Sequence, residues 1–286
     1  MGTYAVTGSA SGMGYEAAQR LRDRGHTVIG VDIRHADVVA DLSKSGGRHA
    51  AAQALLAASG GVLDGAVMAA GLGPTPGRLR QISEVNFAGV VDLLTAWRPA
   101  LAAAAHAKVV VIGSNSTSTT PLVPRRSVRA LLAGDTEKAL RCVRPFGKGA
   151  PALIYAASKI AVTRWARNQA VRPEWAGAGI RLNVLAPGAV LTPLLQEQLS
   201  SPDLARAVRA FPVPAGGFGD PGQLAEWICF MLSDTADFLC GSVIFVDGGS
   251  DAYFRGNDWP APVPATRLVH YMRRFVGFRR RVRRGR

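Results

Sequence analysis

Tyr155 and Lys159 lie four residues apart in the run YAASK. On a helix that spacing brings both side chains to one face. An ammonium beside a phenol favours the phenolate and lowers a phenolic pKa that is about 10 when unperturbed. A tyrosine tuned this way can give and take a proton near neutral pH. The pair alone is a weak signal, because the same spacing arises by chance on many helices. A second feature sits near the other end of the chain. TGSASGMG, Thr7 to Gly14, places glycines at 8, 12 and 14 after a short apolar run and before an amphipathic one. A strand, glycine loop and helix in that order aim backbone N–H groups and the positive helix end at one point, which suits a phosphate. Gly8 permits the turn, while Gly12 and Gly14 permit close approach of backbone and helix. The spacing is not G-x-G-x-x-G, and a plain flexible turn is the competing reading. Asp32 closes the apolar run VIGVD about 20 residues beyond the loop, where a carboxylate accepts hydrogen bonds from an adenosine ribose and repels a 2′-phosphate. Arg34 is nearby, but Ser11 brings no positive charge into the loop, so NAD is expected over NADP.

These groups need a scaffold, and the hydrophobic pattern supplies one. Apolar runs alternate with helical periodicity: TYAVTG, HTVIGVDI, DVVADL, LDGAVMAAG, AKVVVIGS, GIRLNVLAPG and GSVIFVDGG read as strands, with amphipathic stretches between them. That alternation predicts an α/β fold, a single doubly wound Rossmann-like parallel sheet with helices on both faces. Pro99 is a candidate kink in the long helix that begins near Ile82. Residues 1–255 are expected to form the domain, and 256–286 a separate basic tail. Within the domain, 115–150 interrupt the rhythm with prolines, a basic cluster and one helical run, SVRALLAGDTEKALRCV; this reads as a helical insertion before the Tyr-Lys helix.

Composition closes off other classes. With 286 residues, nearly half of them hydrophobic, the chain can bury a large core. The most apolar stretch, Leu93 to Ile112, is broken by Arg98, Pro99, His106 and Lys108, so no spanning helix is expected. Tyr4 to Val6 read as strand rather than as a secretory leader, and a cytoplasmic location is expected. Cys142, Cys229 and Cys240 have no metal-ligand spacing and read as reduced thiols. His26, His35, His49, His106 and His270 show no i,i+3 or i,i+4 pairing, so no metal is expected.

Taken together, the glycine loop and the Tyr155–Lys159 pair resemble the short-chain dehydrogenase/reductase family, whose motifs recur in order over roughly residues 3–250. TGSASGMG matches T-G-x-x-x-G-x-G, which accounts for the glycine spacing. Asp41 and Leu42 match the pair bordering the adenine, and Ala69 to Gly71 match the end of the N-N-A-G segment. Asn86 matches the asparagine of the long helix, and Ser114, at a strand end, matches the catalytic serine in preference to Ser116 or Ser118. LNVLAPGAVLTP supplies Pro187, Gly188, Val190 and Thr192, which would border the nicotinamide; Thr192 also reads as a helix cap before Pro193. VDGG, Asp247 to Gly249, matches the end of the last strand. The resemblance implies a cofactor set of Gly8, Ser11, Gly12, Met13, Gly14, Asp32, Ile33, Asp41, Leu42, Ala70, Gly71, Tyr155, Lys159, Pro187, Gly188, Val190 and Thr192. It implies that Tyr155 exchanges a proton with a substrate oxygen and that Lys159 lowers its pKa and holds the nicotinamide ribose. Ser114 would hydrogen-bond the same oxygen, and Asn86 would hold a water. Met68 and Ala69 stand where the family often has asparagines, a change that leaves the catalytic set intact.

VDIRHADVVADLS, GLGP at 71–74 and the 115–150 insertion are similar to the bacterial 3α-hydroxysteroid dehydrogenase/carbonyl reductase and coniferyl-alcohol dehydrogenase branch. That implies a bulky hydrophobic alcohol or ketone as substrate, and a homodimer or homotetramer whose contacts the insertion would alter. Leu194, Leu195, Leu199, Phe211 and Val213 are expected to line an apolar pocket, with ordinary helix packing the competing reading. A reductase of carrier-bound 3-oxoacyl groups and a non-catalytic NAD-binding interaction protein are the alternatives. In the tail, nine arginines against the single acid Asp258 supply eight of the fourteen net positive charges. Apolar residues at 268, 272, 275 and 276 form one helical stripe among them. The tail fits an anionic membrane surface, nonspecific nucleic-acid attraction or a solubilising end; no specific nucleic acid is expected.

Overall fold

The computed structural model describes residues 1–284, with the side chains at 202–204, at 207 and from 279 onward outside the description. Of the nine tail arginines counted above, those at 279, 280, 281, 283, 284 and 286 therefore have no described side chains. Seven parallel strands form one sheet: β1 (Thr3–Thr7), β2 (Thr27–Asp32), β3 (Val38–Val39), β4 (Gly65–Met68), β5 (Lys108–Ile112), β6 (Arg181–Pro187) and β7 (Val243–Val246), in the order β3-β2-β1-β4-β5-β6-β7. Every pairing is parallel, and central strands are apolar on both faces, as in Ala5 and Val6 or Val109 to Val111. A strand buried on both sides has no polar face to show, which is why these read as continuous apolar runs.

Helices cover both faces. On one, α1 (Gly12–Asp23) packs on α11 (Pro221–Leu232), joining Leu21, Val6, Val110 and Ile228 in one core. On the other lie α2 (Ser45–Ala58), α4 (Gly89–Ala103) and α8 (Ala150–Ala170), around Leu55, Leu94, Trp97 and Ile154. The strand order turns between β1 and β4, so the connections leaving their carboxyl ends run to opposite sides of the sheet, at the general ligand position of such sheets.

Two details depart from the sequence reading. Pro99 lies inside an uninterrupted α4; the irregularity is instead a π-helical turn at Glu84–Ala88, between α3 (Leu79–Ser83) and α4. The helical run expected at 127–143 is two helices, α6 (Arg125–Leu132) and α7 (Thr136–Val143), with the short α5 (Ser116–Thr119) before them. Gly134 takes a left-handed turn (φ 77°), and Asp135 caps α7 by accepting from the Lys138 N–H at 2.9 Å. The pair buries Val128, Leu131, Leu140 and Val143, and α6 packs on α8, the helix that carries Tyr155 and Lys159.

The chain divides into two compact units, 1–253 and 254–286, the division falling within α12 (Ser250–Arg255). The second contains a short 3-10 turn (Ala265–Arg267) and the helix α13 (Leu268–Arg284). Among the described residues no helix is long and apolar enough to cross a membrane, and no group of His, Cys, Asp or Glu has the makings of a metal site.

Candidate active site

Tyr155 and Lys159 project from one face of α8 into the crevice at the carboxyl ends of β4, β5 and β6. Ser114, two residues beyond β5, is buried, and its hydroxyl faces the Tyr155 phenol and acts against the rise in its pKa. The Ser114 Oγ also accepts from the Ser116 N–H at 3.1 Å, which fixes its rotamer. Lys159 is buried, and its Nζ donates to the Ile112 carbonyl at 2.8 Å.

The electrostatics differ from the expectation that Lys159 lowers the Tyr155 pKa. Burial pushes the phenol above its ordinary value, opposed only by the Ser114 hydrogen bond. Burial likewise brings the Lys159 ammonium down to about 8. The i,i+4 spacing puts both groups on one face, but the lysine hydrogen bond goes to the strand carbonyl. Desolvation then favours the neutral form of each group.

Asn86 lies in the π-helical turn, fully buried. Its Oδ1 accepts from the Leu72 N–H at 2.8 Å, and its Nδ2 donates to the Leu72 carbonyl at 2.9 Å and to Ser158 Oγ at 3.3 Å. Ser158 Oγ in turn donates to the Tyr155 carbonyl at 2.7 Å. The side chain therefore ties the segment after β4 to the helix that carries Tyr155.

The glycine loop has the geometry of a phosphate cradle. Gly8 has φ 70°, and a Cβ there would stand 2.7 Å from the Ala70 amide nitrogen. A Cβ on Gly14 would run into the Gly8 carbonyl. At the start of α1, Ser11 occupies the N-cap position without a side-chain cap, and the first turn holds no acid. The free first-turn amides are left for an anion. Asp32 holds the edge of this cradle: its Oδ2 accepts from the Ala10 N–H at 3.0 Å and its Oδ1 from the Ile33 N–H at 2.7 Å. Ile33 itself is exposed beside it. Asp41 directs its carboxylate at Ser43 and Lys44, and the Ser43 hydrogen bond chiefly holds its pKa down. Leu42 buries its side chain in the core, so only its backbone can face an adenine.

After β6, Pro187 to Thr192 fold back over the loop; Gly188 N–H donates to the Val246 carbonyl at 3.1 Å, and a Cβ on Gly12 would touch the Thr192 methyl at 3.2 Å. Thr192 stands at the N-cap position of α9 (Pro193–Ser200) but caps nothing; its hydroxyl donates to the Val190 carbonyl at 3.4 Å. Met13, Gly71, Ser114, Tyr155, Lys159, Pro187, Gly188, Val190 and Thr192 meet around one cleft of about 440 Å³. Leu194, Leu195 and Phe211 line it. Leu199 and Val213 do not: Leu199 opens onto a separate groove beside α10 (Pro202–Ala210), and Val213 packs near Gly248. The sequence reading missed Gly73, Pro74, Thr119, Ala152, Gln198 and Val208 on the cleft wall. Gln198 lies three and four residues from Leu195 and Leu194, so helical periodicity alone marks it.

Known proteins are similar to this chain in sequence and fold. The chain is 37% identical over 255 residues, 89% of its length and 98% of the other's, to the 3-alpha-hydroxysteroid dehydrogenase/carbonyl reductase of Comamonas testosteroni. The chain belongs to the short-chain dehydrogenase/reductase family. This short-chain dehydrogenase is also 30% identical over 262 residues, 86% of its length and 95% of the relative's, to the cis-4-hydroxycyclohexanecarboxylate dehydrogenase of Sinomonas cyclohexanicum. Its fold superposes with a TM-score of 0.84 on the 3-alpha-hydroxysteroid dehydrogenase of Pseudomonas sp. B-0831 complexed with NADH, at 44% identity, covering 89% of this chain and 99% of that one. A family model described as enoyl-(acyl carrier protein) reductase matches residues 146–251, which include Tyr155 and Lys159. The chain is thus an oxidoreductase of this family. A nicotinamide dinucleotide fits the residues present: an uncapped helix start, a loop with no room for a Cβ at Gly8 or Gly14, and a carboxylate held at its edge.

Proposed function

We propose that this enzyme transfers a hydride between NAD(H) and a bulky hydrophobic alcohol or ketone, of the hydroxysteroid, aryl-alcohol or carbonyl kind, with Tyr155 as acid and base. One observation carries the reading: the Tyr155 phenol stands with Ser114 and Lys159 in a cleft whose wall includes the apolar side chains of Leu194, Leu195 and Phe211. The loop amides from Ser11 to Gly14 would hold the pyrophosphate, Asp32 the adenosine ribose, and Lys159 the nicotinamide ribose. Asp32 favours NAD over NADP, because a 2′-phosphate would meet its charge. When bound, the cofactor supplies the hydride exchange. Tyr155 gives its proton to the substrate oxygen as a ketone is reduced and takes one back as an alcohol is oxidised. A phenol pushed above its ordinary pKa stays protonated at neutral pH, ready for the reductive direction. Ser114 accepts from Ser116, so its own proton remains to donate to the same oxygen and stabilise charge developing there.

The test is a panel of steroids, aryl alcohols and short ketones followed by NADH absorbance, with Tyr155→Phe alongside. The variant is expected to lose turnover by a factor on the order of 10²–10⁴ while NADH still binds. Unchanged turnover refutes the acid/base role. Activity confined to carrier-bound acyl ketones would support the alternative of a reductase of carrier-bound 3-oxoacyl groups.

A further inference from the structure

We propose that α13 is an anchor for anionic lipid surfaces, lying in the headgroup region with its apolar half inward. At 3.6 residues per turn, Leu268, Val269, Tyr271, Met272, Val276 and Phe278 fall within one half of the helix circumference, and His270, Arg273, Arg274 and Gly277 fall on the other. Those six apolar side chains are 44–69% exposed, an unusual density for a water-facing helix. From Trp259 to the last residue the sequence contains no acid, and five more arginines follow Phe278 before Gly285. Charge complementarity selects the occupant. A surface dense in phosphate attracts the arginines, and only a lipid surface also accepts the apolar half. A nucleic acid would satisfy the cations and leave the apolar half in water. A second copy of the helix would bring like charges together. Trp259, also exposed, and Tyr271 add the amphipathic rings that favour the interface between headgroups and acyl chains. The helix carries too much charge to span a bilayer, so the attachment is peripheral and reversible.

The experiment is cosedimentation of the full chain with extruded vesicles of phosphatidylcholine alone or mixed one to one with phosphatidylglycerol, at physiological salt. Binding to the mixed vesicles and not to pure phosphatidylcholine is expected. The triple variant Val269→Gln, Met272→Gln, Val276→Gln keeps every positive charge and a good helix former at each site. Its partitioning is expected to fall at least about tenfold, because the apolar half supplies the insertion. The double variant Arg273→Gln, Arg274→Gln is expected to lose part of the preference for anionic lipid and to become less salt-sensitive. Neither variant alters a residue that lines the cleft, so NADH binding by fluorescence in both checks that the body is folded. The proposal is overturned if the full chain leaves the mixed vesicles unbound, if the triple variant binds them like the parent, or if the full chain binds only a mixed-sequence DNA duplex. These readouts are independent of turnover, so the failure of the catalytic reading would be separately visible.

Discussion

Lys159 is buried within the fold, and it stabilises function rather than the fold. Burial brings its pKa from 10.5 to about 8. Each tenfold in proton affinity is about 1.4 kcal/mol, so holding the lysine there costs the folded state about 3 kcal/mol below pH 8. The sign follows from linkage: between pH 8 and 10.5 the unfolded chain binds the proton that the folded chain has released, so this penalty fades as pH rises. Lys159→Met keeps the length and shape of the side chain and removes the charge. It also removes the hydrogen bond to the Ile112 carbonyl at 2.8 Å, a loss of about 1 kcal/mol. The variant is therefore expected to be more stable than the parent by about 2 kcal/mol at pH 7 and to lose that advantage by pH 10, while turnover collapses. Urea denaturation of both proteins at the two pH values, at equal concentration and without cofactor, measures the difference, and other titrating groups cancel in it. A variant less stable at pH 7, or a gap that does not change with pH, would refute this account of the buried ammonium.

Other outcomes follow from the same geometry. Asn86→Ala leaves the Leu72 N–H and carbonyl without partners; it is expected to destabilise by about 3 kcal/mol, read by urea denaturation, with kcat falling as the bracket to α8 loosens. Gly14→Ala drives a Cβ into the Gly8 carbonyl and is expected to weaken NADH binding at least about tenfold, measured by fluorescence titration. Asp32→Asn keeps one acceptor for the Ala10 and Ile33 amides but removes the charge; the ratio of kcat/KM for NAD over NADP is expected to drop at least about tenfold. An unchanged ratio would mean that the carboxylate does not choose the cofactor.

Most of the scaffold was legible because its signals are local. Strands apolar on both faces and glycines at turns are written within a few residues of where they act. The extra turn at Gly134 was written as well, though the surrounding helical pattern masked it. The π-helical turn that seats Asn86 had no comparable mark. Pro99 was the visible suspect, yet α4 runs through it while the distortion sits a dozen residues earlier. In the pocket, Leu194, Leu195 and Phe211 were found by hydrophobicity, whereas Leu199 and Val213, equally apolar, face elsewhere. Apolar character reports that a residue is buried, not which cavity it borders.

By sequence alone, the residue types, their order and their periods determined the parallel sheet, the glycine loop, the carboxylate at the end of β2, and Tyr155 and Lys159 on one helix face. The tertiary structure decided what those groups experience. It sent the Lys159 hydrogen bond to Ile112, spent the Asn86 amide on Leu72 and Ser158, and placed Ser114 against the Tyr155 phenol. A pKa depends on the solvation and partners that remote segments impose. The spacing of Tyr155 and Lys159 could name the pair, and only the fold could set the direction in which burial moves each proton.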